Sequence, residues 1–148
     1  MKVVSSNKNA NFNYFILETY LAGIVLQGFE VKSIRQNGMT INESFILIKD
    51  NEVFLKNSFI KPYQSSQGFA PKPDRDRKLL LNKNEILKLS QKVSTKGLTL
   101  VPTKVYLQDS LVKIEIGVGR GKKLYDKKDT LKEKDIKREA LRQINKSY

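Results

Sequence analysis

The chain has no cysteine and no histidine among its 148 residues. Disulfides, thiolate catalysis, imidazole general-base work and the usual zinc ligands are excluded together. No apolar run reaches membrane-spanning length, and residues 1–10 hold none long enough for a signal peptide. A cytoplasmic, reducing location is expected. Negative charge is also scarce: 15 Asp and Glu stand against 28 Lys and Arg, a formal net charge of +13. That excess attracts polyanions and repels itself in the compact state. Nucleic acid is favoured over an anionic membrane or an acidic protein, because no stretch has the form of a membrane-binding amphipathic helix. Lysine outnumbers arginine 22 to 6, so point-charge contacts should exceed planar forks.

What is present fits one domain with its own core and a tail outside it. Residues 1–11 are polar. From Phe12 to Leu26 both parities are largely apolar, which predicts a long strand bent at Gly23. Gly28 to Gly38 predicts a short helix, with Val31 and Ile34 inward, Lys32 and Arg35 outward, and Gly38 as the stop. Phe45–Ile48 and Val53–Leu55 predict a hairpin turning at Asp50-Asn51. Regular patterning is absent from Lys61 to Lys78, where Arg75 and Arg77 have Asp74 and Asp76 as ready ion-pair partners. Asn82 and Glu85 have the spacing of a capping box, followed by Ile86, Leu89 and Val93 on one helical face and Gly97 at the close. Two strands are expected next, Leu98–Leu107 and Leu111–Val118, the second with Val112, Ile114, Ile116 and Val118 inward. About five strands and two short helices predict a mainly β fold, an OB-like, partly closed antiparallel barrel. A sandwich or an α+β roll would use the same elements.

The chain changes character at Gly117, Gly119 and Gly121, which read as a loose joint. A phosphate-binding loop fails there on spacing, because Ile116 and Lys123 occupy positions that need Gly and Ser or Thr. The expected division is 1–119 as barrel and 120–148 as a flexible basic tail. The tail carries 11 basic and 5 acidic residues. Thr130 and Glu133 offer a helix start, and Ile136, Ala140 and Ile144 a thin apolar stripe. So narrow a stripe predicts disorder alone and a helix on a partner.

Most aromatics, including Phe15, Phe45, Phe54 and Tyr106, are assigned to the core. Tyr14, Tyr63, Phe69 and Tyr125 lie beside lysines or in loops and suit base stacking. Glu30 has two readings. One is a favourable helix-dipole interaction of about 0.3–1 kcal/mol; the other is an acceptor for base edges.

Several stretches together resemble the SmpB family of bacterial proteins that bind transfer-messenger RNA (tmRNA). They are Asn7-Lys8 with Tyr14-Phe15-Ile16, Ala22-Gly23-Ile24 leading to Gly28-Phe29-Glu30-Val31-Lys32-Ser33, and Arg77-Lys78-Leu79-Leu80-Leu81-Asn82-Lys83. Gly97-Leu98-Thr99-Leu100-Val101-Pro102 and Arg120-Gly121-Lys122-Lys123-Leu124-Tyr125-Asp126-Lys127 complete the set. The resemblance implies an OB-like barrel, no catalytic residue, no cofactor and no metal. It implies an adaptor in trans-translation, which brings alanyl-tmRNA, with elongation factor Tu and GTP, to ribosomes stalled without a usable stop codon. The barrel would hold the tRNA-like part of tmRNA through Asn7, Lys8, Tyr14, Glu30, Lys32, Leu80 and Asn82. The tail would occupy the ribosomal decoding centre and message channel through Gly121, Lys122, Lys123, Tyr125, Asp126, Lys127 and Lys128. Departures from the family pattern fall at Leu21, Asn9, Asn11, Phe12 and Lys128. Two other readings stand beside it: a generic OB-type RNA-binding or ribosomal protein, and a metal-dependent nuclease using Asp74, Asp76 or Glu30.

Overall fold

The structure, a computed structural model, describes residues 1–62 and 72–123. Tyr63, Phe69 and every expectation placed at or beyond Leu124, including Tyr125, Asp126, Lys127 and Lys128, lie outside the described residues. In chain order the elements are β1 (Lys2–Ser6), α1 (Ala10–Asn13), β2 (Tyr14–Ile24), α2 (Gly28–Arg35), β3 (Met39–Thr40) and β4 (Phe45–Lys49). There follow β5 (Glu52–Lys56), β6 (Phe59–Ile60), β7 (Arg77–Leu80), α3 (Lys83–Ser94), β8 (Thr99–Gln108) and β9 (Leu111–Gly121).

Seven strands form one antiparallel sheet in the order β1-β8-β9-β2-β7-β5-β4, and β3 pairs with β6 separately. The sheet curls until β4 approaches β8 without a hydrogen-bonded ladder, so the OB-like barrel is partly closed. An apolar cleft of about 460 Å³ marks that seam, lined by Phe45, Leu47, Val93, Leu98 and Leu100. The core inside the curl is built from Ile34, Leu55, Leu79, Leu89, Val105, Ile114, Ile116 and Val118.

Local chemistry explains the elements that were expected. The hairpin of β4 and β5 turns at Asp50 and Asn51, both with positive φ (53° and 60°). That is the signature of a type I′ turn, whose twist matches the strands it joins. At the head of α3, Asn82 Oδ1 accepts the Glu85 N–H at 2.8 Å while Glu85 Oε1 accepts the Asn82 N–H at 3.2 Å. Gly97 takes the left-handed conformation (φ 65°) that ends the segment.

Five expectations are corrected. Nine strands are present among the described residues rather than about five. β1 comes from the stretch read only as polar and is held by pairing with β8 at the opposite end of the sequence. The stop after α2 uses Asn37 (φ 59°) for the left-handed turn. Gly38 is needed for closeness instead: a Cβ there would meet Ser33 Oγ and lie 2.8 Å from the Ser33 carbonyl oxygen. The glycine run is not a loose joint, since β9 continues through Gly121. Gly119 pairs with Ile16, Arg120 with Phe15 and Gly121 with Tyr14. Finally, Phe45 is 50% exposed, at the open seam rather than in the core.

Candidate nucleic-acid interface

Two of the six arginines converge on Glu30, which is only 3% exposed. Arg77 is wholly buried and donates from Nε (2.8 Å) and Nη2 (2.6 Å) to Glu30 Oε2. Its other donors reach Ser58 Oγ at 2.8 Å and the carbonyls of Arg75 and Pro73, each at 3.0 Å. Arg75 Nε donates to Glu30 Oε2 at 3.1 Å, and Arg75 Nη2 pairs with Glu30 Oε1. The Gln27 N–H also donates to Oε1, at 2.9 Å. Burial alone would raise the Glu30 pKa. Donation from Arg75, from the Gln27 main chain and from Arg77 outweighs it and holds the carboxyl below its ordinary value.

This cluster ties the start of α2, the turn before β6 and the segment 73–76 to β7. Glu30 is therefore a brace, and its engaged oxygens leave no exposed acceptor for a base edge. The arginines serve Glu30 rather than the neighbouring aspartates; Asp76 pairs with Lys56 at 3.3 Å. Both oxygens of Glu30 being committed to guanidinium donors also removes it from the nuclease reading. Among the described residues, no three carboxylates gather where they could hold a metal ion.

The brace positions three outward side chains. Leu80, at the end of β7, is 52% exposed and packs beside Gly23 of β2. Asn82 follows as the exposed cap of α3. Lys32 projects from α2, its Nζ 6.0 Å from the centroid of the Phe29 ring.

A second group lies at the other end of β2. Gly23 lies nine positions after Tyr14, about 30 Å along an extended strand. Here Asn7 is buried: Nδ2 donates to the Pro102 carbonyl at 2.8 Å, and Oδ1 accepts the Asn9 N–H at 3.1 Å. It braces the turn that presents exposed Lys8, whose own N–H is held by Asn42 Oδ1 at 3.0 Å. Tyr14 is half-buried and borders a polar cleft of about 240 Å³ with Asn7, Asn9, Asn13 and Asn42. Beside it the chain leaves β9 through Gly121, Lys122 and Lys123. The Lys122 N–H donates to the Asn13 carbonyl at 2.8 Å, and Lys122 Nζ to the Asn11 carbonyl at 2.7 Å. Phe15 carries two cations: Arg120 at 5.2 Å and Lys122 at 4.9 Å from its ring centroid.

A model described as "SmpB protein" matches residues 4–146. The chain belongs to the SmpB family. The SsrA-binding protein of Persephonella marina is 52% identical over 148 residues, covering all of this chain and 95% of that protein. That of Bacillus pumilus is 50% identical over 141 residues, with 95% of this chain and 90% of that protein covered. A solved structure described as "tmRNA-SmpB: a journey to the center of the bacterial ribosome" superposes with a TM-score of 0.68. It is 43% identical and covers 85% of this chain and 92% of that one.

The residues singled out from sequence divide by geometry. Leu80, Asn82, Lys32, Lys8, Gly121 and Lys123 are exposed; Asn7 and Glu30 are internal braces. Of the departures, Leu21 is exposed on β2 and Asn11 lends its carbonyl to Lys122. Sequence reading missed Arg75, Arg77, Phe15 and Arg120 as parts of the site. Alternation carried a signal for the last: Arg120 follows Val118 at the same parity, beyond the apolar run of β9. Nothing local marks Arg77 as the partner of Glu30. No described helix is long and apolar enough to cross a membrane.

Proposed function

We propose that this chain is the tmRNA-binding adaptor of trans-translation, delivering alanyl-tmRNA, with elongation factor Tu and GTP, to stalled ribosomes in the cytoplasm. The observation that carries this reading is identity of about one half, over nearly the whole chain, to SsrA-binding proteins. The likeness to the tmRNA-SmpB structure supports the same assignment. The chemistry agrees: a barrel with net positive charge holds exposed Lys8, Lys32, Leu80 and Asn82 on rigid braces, as a folded, polyanionic RNA partner requires. The barrel binds the tRNA-like part of tmRNA as a non-enzymatic module. The segment from Lys123 through Tyr125, Asp126, Lys127 and Lys128 serves the decoding centre and message channel.

The test is truncation, and the structure sets where to cut. Ending at Val118 would strip Gly119 to Gly121 from their pairing with β2. A chain ending at Lys123 keeps the complete strand. It should bind tmRNA like the full chain yet fail to support tagging of stalled products. Loss of RNA binding in that truncation would overturn the division of labour. Preference for an unstructured RNA over a folded tRNA-like elbow in direct competition would favour a generic single-strand binder instead.

A further inference from the structure

The run Gly117 to Lys123 ends in side-chain contacts that no barrel strand requires. After its last strand pair, Gly121 with Tyr14, the chain does not simply depart. The next residue, Lys122, carries the β2–β9 register one rung further, its N–H bonding the Asn13 carbonyl, and its ammonium reaches the Asn11 carbonyl of α1. The three-donor ammonium is a good match for a carbonyl at the end of a short helix, where acceptors are left without intrahelical partners. The same ammonium lies over the Phe15 face, with Arg120 also within cation–π range of that ring. Phe15 and Arg120 are themselves cross-strand partners. Upstream, a Cβ on Gly119 would sit tightly against Tyr14 Cβ (3.1 Å) and the Phe15 carbonyl (3.2 Å), so β9 lies close against β2 at that position.

We infer that Lys122, Phe15 and the carbonyls of Asn11 and Asn13 form a latch that fixes the point and direction in which the tail leaves the barrel. Lys122 and Phe15 are then positioning residues. Residues beyond Lys123 begin from an anchored root on the face that carries Lys8 and Tyr14. Positive charge beside positive charge would otherwise drive the root of the tail away from the basic barrel; the latch opposes that repulsion with two carbonyl acceptors and an aromatic face. The inference rests on the proposed function only in giving the tail work to do; the latch itself is a property of the free protein.

The absence of cysteine makes the test direct, because two introduced thiols are the only ones to label. Spin labels at Lys104→Cys, exposed on β8, and Leu124→Cys, two residues past the latch, report the distance between barrel and tail root. The full-length protein should give a narrow distribution. Lys122→Met and Phe15→Leu should each lose that narrow component with little change in melting temperature, while Lys122→Arg, which keeps the cation and its donors, should retain it. A distribution unchanged in Lys122→Met and Phe15→Leu would overturn the latch. In a reconstituted tagging assay, Lys122→Met should keep the affinity of the unsubstituted chain for tmRNA but lose tagging, with Lys122→Arg restoring it. If tmRNA affinity fell in step with tagging, Lys122 would be an RNA contact and the positioning role would be wrong. If the unsubstituted chain failed to bind tmRNA, the proposed function would fall, while the label distances would still decide the latch.

Discussion

Arg77, fully buried on β7, closes on Glu30 of α2 through two donors to one carboxylate oxygen, at 2.8 and 2.6 Å. The two residues are 47 positions apart in sequence, so this pair welds helix to sheet. Every Arg77 nitrogen has an acceptor, which is what makes so deeply buried a cation tolerable.

Breaking the pair from one side should be costly. Arg77→Met leaves Glu30 buried with a weakened set of donors and is expected to destabilise the fold by about 3–5 kcal/mol, read by urea denaturation. Adding Glu30→Gln to Arg77→Met should cost less than the sum of the two single changes, because the stranded charge is gone.

The same cluster predicts a pH dependence with a definite sign. Glu30 has its folded pKa held below the ordinary 4.5, so the unfolded chain binds its proton more readily. Its contribution is complete above that ordinary value and is lost as pH falls through the lower, folded one. Stability should therefore drop on acidification below about pH 4.5, and Glu30→Gln should show a shallower drop across the same range. Equal slopes for the two proteins would assign the acid sensitivity to other carboxylates.

The glycines near the end of β9 should differ sharply when given a methyl group. At Gly117 a Cβ would lie 2.9 Å from Thr103 Cγ2, and Thr103 is held by its hydroxyl to Glu115. At Gly119 the neighbours include main-chain oxygen. At Gly121 nothing lies within 4 Å. Gly117→Ala and Gly119→Ala should each lose about 1–3 kcal/mol in thermal or denaturant unfolding. Gly121→Ala should stay within about 0.5 kcal/mol. A flat series would mean that these positions do form a loose joint.

Asn82 combines a cap with a place on the proposed RNA face, and the two roles can be separated. Asn82→Ala should cost about 1 kcal/mol of stability, whereas Asn82→Ser keeps a capping oxygen and should cost little. If Asn82 also meets RNA, both variants should weaken tmRNA binding in a filter or fluorescence titration, the serine variant without loss of stability. Leu80→Ala should behave like the serine variant, since its side chain is half in solvent.

Legibility followed the range of the interaction. The Asp50-Asn51 turn and the Asn82–Glu85 box are complete within a few residues, so their patterns were readable in the sequence. β1 is defined only by β8, about a hundred residues away, and its polar sequence carries little sign of it. Glu30 showed as a helix-start acid, but its real partners lie beyond a segment without pattern. The glycines at 117, 119 and 121 do alternate with period two, the spacing of one strand face. Read for backbone freedom they indicated a joint; read for closeness they mark where β9 meets Thr103, Ile16 and Tyr14. On the proposed RNA face, Lys8, Lys32 and Leu80 were singled out by matching family positions, and packing adds that Leu80 is exposed while Leu79 is buried.

The main-chain bond from the Ile60 N–H to the Pro73 carbonyl, at 2.9 Å, has a practical consequence for engineering. Arg77 grips that same carbonyl, so both flanks of the intervening segment are stapled to the barrel irrespective of what is threaded between them. Closing a longer loop across fixed ends adds only about 0.6 kcal/mol per doubling of its length. Lengthening the chain between Ile60 and Pro73 would thus add little to the entropic cost of closing it, because both anchors are already part of the barrel.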